Sequence, residues 1–95
     1  MKVQNMLSPR SGKEVANQFI IYHNDKVYFQ SYDTIIAVKE GGKITLDRNY
    51  WDYSVTTSKY RNEFTGLNTL NTKKAIKNGE IELADLNGWY TKAGF

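Results

Sequence analysis

Ninety-five residues, 40% of them hydrophobic and 14% aromatic, with a single proline and a formal charge of +3, describe one domain able to bury a core and too small to enclose a large cavity. The composition is too apolar and too varied for a disordered chain. The lack of cysteine excludes disulfides, thiolate metal sites and a cysteine nucleophile, and the mild positive balance excludes an acidic mimic of DNA and falls short of the basic stripes of a committed nucleic-acid binder.

No stretch approaches the roughly 18 apolar residues of a membrane span. The start, Met1 to Arg10, has no apolar run of signal-peptide length. The expectation is a soluble protein in the cytoplasm, a host cell's if the chain is foreign to it, with no membrane partner. Residues 1–14, punctuated by Ser8-Pro9 and Ser11-Gly12, read as an irregular N-terminal arm that lies on the domain or reaches outward.

The sheet is expected over residues 17–47. Phe19-Ile20-Ile21-Tyr22 is a β-branched and aromatic run suited to a strand, and Asn24-Asp25 supplies a tight turn. Val27 and Phe29 then alternate with Tyr28, Ile35 to Val38 forms a third strand, and Gly41-Gly42 is the strongest hairpin signal in the chain. Ile44 and Leu46, alternating with Lys43, Thr45 and Asp47, make a fourth. This predicts an antiparallel meander of about four strands.

Residues 54–79 read as helical. Val55, Tyr60, Phe64 and Leu67 recur at helical spacing, Ser54, Thr56 or Thr57 supplies the cap, and Gly66 ends the element. A second short helix is signalled by Asn71-Thr72 as its start, Lys73 to Lys77 as its body and Asn78-Gly79 as its exit. Residues 80–95 follow as an edge strand or extended packing segment, in which Trp89 and Tyr90 close over the core or make a subunit contact. The fold class is therefore α+β, one domain, with two short helices on one face of the sheet.

Chemistry concentrates in residues 48–64. A helix starting at Ser54 would gather free backbone N–H groups, hydroxyls, Lys59 and Arg61 at its positive end, a place for phosphate or carboxylate. Thr56, Thr57, Lys59 and Arg61 are the candidate phosphate contacts, and Trp51 or Tyr53 the candidate stacking ring. The bland reading of the same run is a capped, solvated helix start, with rings that only fill a small core. Arg10, Lys13, Lys73, Lys74 and Lys77 form a basic patch if the arm folds back near the second helix, and otherwise are solubilising charges.

Catalysis has little support. The lone His23 sits in a predicted turn, Asp47 and Asp52 suit turn and cap roles, and no Ser/His/Asp set, HExxH, Walker loop or GxGxxG occurs. No cofactor or metal is expected.

The blocks Asn5 to Gly12, Val15 to Phe19, Phe29 to Asp33 and Tyr53 to Asn62 together resemble a family of small proteins of unknown function encoded by phages and mobile elements of gut bacteria. The resemblance runs from the start of the chain to Phe64 and brings no assigned activity or site residues. It implies a phage-type accessory protein that counteracts host defence. The function expected is non-catalytic binding of a phosphate-bearing ligand, nucleotide or nucleic acid. The alternative is a protein–protein inhibitor of a host defence nuclease or regulator, like an anti-CRISPR protein, and a homo-oligomer is compatible with either.

Overall fold

The runs of β-branched and aromatic residues become strands in the order in which they occur. In the computed structural model, which describes residues 1–87, β1 (Lys2–Leu7), β2 (Glu14–His23), β3 (Lys26–Ser31), β4 (Thr34–Glu40) and β5 (Lys43–Asp47) form an antiparallel meander. The chain then passes through α1 (Val55–Thr65) and α2 (Thr69–Lys77) and returns as β6 (Ile81–Ala84), parallel to β5. A parallel neighbour cannot be reached by a hairpin, so the two helices occupy the crossover.

Six strands thus stand where the pattern predicts about four. Residues 2–7, expected as an irregular arm, are the edge strand β1, paired with β2 from Lys2↔Tyr22 to Asn5↔Phe19. The signal is thin because an edge strand buries little: only Met6 of this strand is buried, while Val3 and Leu7 are exposed. Ser8 to Lys13 is a hairpin turn closed by Ser8 N–H on the Lys13 carbonyl at 2.8 Å. The segment that follows α2 does lie at the sheet edge, as β6. The expectations for Trp89 and Tyr90 fall outside the described residues.

Turn chemistry follows the residues. Asn24 and both Gly41 and Gly42 have positive φ at the two predicted hairpins. Ser54 caps α1 by accepting from Thr57 N–H at 3.1 Å, and Gly66 ends it at φ 77° in the left-handed region. The second helix starts earlier than Asn71-Thr72 predicts. Its cap is Asn68, whose side chain accepts from Asn71 N–H at 2.7 Å.

The core lies between the sheet and the helices. Register aligns Ile20, Phe29, Ala37, Leu46 and Leu83 in one row across five strands, and Phe64 of α1 packs on Phe29 with ring centroids 5.9 Å apart. Phe29, Ala37 and Leu46 are fully buried, and each large side chain so buried contributes roughly 1.5–3 kcal/mol. A register shift between Phe29 and Gln30 sets Ile36 against no partner of its own, so Ile36 and Ala37 are both buried in succession.

Asp47 ends β5 and fixes the loop that leads to α1. One carboxylate oxygen accepts from Asn49 N–H and Tyr50 N–H, both at 3.0 Å, and the other from Leu86 N–H at 2.9 Å and the Asn87 amide at 3.1 Å. Asn87 also pairs both ways with the backbone of Ile35, at 2.9 Å each. The start of β4, the end of β5 and the segment after β6 are thereby tied together, with the first residues of the loop that leads to α1.

Candidate functional site

Trp51, Asp52 and Tyr53 reach the start of α1 through the tight turn that Asp47 holds, with Trp51 N–H on the Asp47 carbonyl at 3.1 Å. Helix spacing then sets Ser58, Arg61 and Asn62 on one side of α1, facing the first residue of α2, Thr69. Between these segments lies an open recess of about 700 Å³ whose wall includes Asp52, Tyr53, Val55, Lys59, Asn62 and Thr69.

Arg61 lies beneath that recess with its side chain wholly buried. Nη1 donates to the Trp51 carbonyl at 2.6 Å, to Ser58 Oγ at 3.3 Å and to Asp52 Oδ1 at 3.5 Å. Nη2 donates to Asn62 Oδ1 and Thr69 Oγ1, each at 2.9 Å. The guanidinium also lies 5.2 Å from the centre of the Trp51 ring, a cation–π arrangement. One cation therefore joins the loop before α1, the body of α1 and the start of α2. Burial lowers its pKa from the ordinary arginine value, opposed by the charge and hydrogen bond of Asp52.

The six residues singled out as ligand contacts divide into two sets. Tyr53, 49% exposed, and Lys59 line the recess, and Thr56 is exposed in the first turn of α1. Thr57 and Arg61 are instead internal. Thr57 is fully buried, its N–H held by Ser54 and its hydroxyl 3.1 Å from Ser31 Oγ. Trp51 is half-buried against the core and over Arg61. Hydroxyls and cations at a helix start read as ligand contacts in a sequence, and here Thr57 is tied inward by Ser31 of β3 and Arg61 by the loop before α1, by α1 itself and by the start of α2.

The five basic residues are not brought together. Arg10 and Lys13 are exposed in the β1–β2 turn, and Lys73, Lys74 and Lys77 are exposed on α2, which packs over β6. Strands β1 and β6 are opposite edges of the sheet, about 24 Å apart at the usual strand spacing. Among the described residues no group of His, Asp and Glu side chains converges as a metal site, and no helix is long and apolar enough to cross a membrane.

Sequence reasoning misses Asp52 and Thr69 as members of the site. Asp52 reads as a turn residue, while Thr69 belongs to a helix start that Asn68 announces directly after the Gly66 exit. Val55, exposed at 88% in the wall of the recess, carries no signal in a pattern that takes such residues as core.

Residues 1–82 match the family of unknown function DUF8033, and the chain belongs to that family. No curated protein and no solved structure matches it.

Proposed function

We propose, for a chain whose family carries no assigned activity, that it is a non-catalytic binding module that docks a partner protein through the recess at the start of α1. The observation that carries this reading is the rim. Val55 and Tyr53 are exposed large side chains that line the recess, and the exposed Tyr50 ring stands edge-on to Tyr53 with centroids 5.5 Å apart, beside polar groups that Arg61 fixes from below. Apolar and tyrosine side chains on a pre-ordered base suit protein docking, where they gain contact area at little entropic cost.

The phosphate-bearing ligand drawn from the helix start has weaker support. Thr57 and Arg61 are internal, the Trp51 ring already faces Arg61, and Asp52 and Glu63 share the recess with its one lysine. The finer reading also belongs to this proposal: a phage or mobile-element protein acting in the cytoplasm of a gut bacterium against a protein of host defence, as the family resemblance implies.

Placing a photo-reactive side chain at position 55 tests the reading. Crosslinking to one protein, lost on Tyr53→Glu and absent from the same probe at Lys73, supports it, and a product of twice the chain's mass identifies a second copy as the partner. A rise in melting temperature with AMP or a short single-stranded oligonucleotide, unaffected by Val55→Glu, overturns it in favour of the nucleotide.

A further inference from the structure

A guanidinium has five N–H groups and no lone pair, so every group that meets it must turn an acceptor inward. Arg61 fixes the recess floor by this rule. Asn62 points Oδ1 at Nη2, at 2.9 Å. Flipping its amide would set donor against donor, so Nδ2 and its two N–H bonds face away from Arg61, on the side that lines the recess. Thr69 likewise gives a lone pair of Oγ1 to Nη2, leaving its O–H to turn outward. Ser58 differs, since its hydroxyl already donates to Asp52 Oδ1 at 3.0 Å. The floor is thus a pair of outward donors, set by a side chain the ligand never touches.

The charges beside these donors decide what they accept. Asp52 and Glu63 line the recess with Lys59, and the Arg61 guanidinium beneath is offset by Asp52 at 3.5 Å, so a carboxylate or phosphate entering it finds no net positive charge to offset its own desolvation. A neutral carbonyl oxygen needs none, and an N–H beside it finds the Asp52 carboxylate. We infer that the recess takes a neutral amide group of a polypeptide, its C=O on Asn62 Nδ2 and Thr69 Oγ1 and its N–H toward Asp52. This inference rests on the docking reading and deepens it by naming the group that enters. An asparagine or glutamine side chain and a backbone peptide group offer the same chemistry.

The side-chain Nδ2 protons of Asn62 give their own pair of NMR signals, assignable by their loss in Asn62→Asp. Titration with acetyl-Leu-Asn-Leu-methylamide is expected to move that pair saturably, while acetate and inorganic phosphate at matched ionic strength leave it in place. Acetyl-Leu-Ala-Leu-methylamide separates the two sources: an equal effect assigns the backbone amide, a lost effect the side chain. Asn62→Asp keeps an acceptor toward Arg61 and removes the outward donor. It should melt at the wild-type temperature or above and bind the peptide about tenfold or more weakly, the worth of one hydrogen bond. Undiminished binding by Asn62→Asp, or a response to acetate or phosphate in place of the peptides, overturns the inference. Movement of the Tyr53 and Val55 amides without the Asn62 pair overturns it while leaving the docking reading intact. No movement with either peptide also overturns it, and the docking reading then stands or falls on the crosslink from position 55.

Discussion

The two ends of α1 obey opposite rules. At its C-terminal end Phe64 is buried on Phe29, and burial follows hydrophobicity. At its N-terminal end Val55 is 88% exposed, while Arg61, past the middle of the helix, is fully buried and reaches back to the Trp51 carbonyl and Asp52 in the loop before that end. The first end secures the helix to the sheet. The second costs the desolvation of a guanidinium and leaves an apolar side chain in water. Such an inversion persists where the buried polar group holds elements together and the exposed apolar one meets something else.

Arg61→Ala is the strongest way to break this comparison. It strips the Trp51 carbonyl, Asn62 and Thr69 of their donor and leaves a void, so it should cost about 3–5 kcal/mol in urea unfolding, as much as Phe64→Ala at the conventional end. Asp47→Ala comes next. Losing an acceptor of four hydrogen bonds that holds the loop to α1 should cost about 2–3 kcal/mol and lower the melting temperature by roughly 10 °C or more for a domain of this size.

Two smaller effects run in the stabilising direction. Tyr32 sits at φ 58° in the turn after β3, a region that asparagine tolerates better, so Tyr32→Asn should raise stability by up to about 1 kcal/mol. Val55 is the first residue of α1, which has no acid in its first turn. Val55→Glu should therefore leave stability unchanged or raise it by about 0.3–1 kcal/mol through the helix dipole in urea unfolding.

What the sequence makes legible is the part where local rules and packing agree. Alternation in Val27 to Phe29 and Ile44 to Leu46, the glycine pair at 41–42 and the cap at Ser54 place the meander and the first helix within a few residues. Strand β1 escapes because a strand paired on one side and half-covered needs little apolar alternation. Asn68 escapes as the cap of α2 because Asn71-Thr72 offers the same chemistry three residues later, and the earlier start is the one that sets Thr69 on Arg61 and buries Thr72. Thr57 and Arg61 have the chemistry of ligand contacts, and nothing local tells that Ser31 and Trp51, brought in by the sheet and by Asp47, already occupy them.

The most direct measurement is urea unfolding of Arg61→Ala beside Val55→Glu and the wild type. If Arg61 is the internal support of the docking surface, the alanine variant loses about 3–5 kcal/mol and the glutamate variant loses nothing. An Arg61→Ala protein as stable as the wild type would contradict this account, because an arginine whose removal costs no stability is one free to meet a ligand.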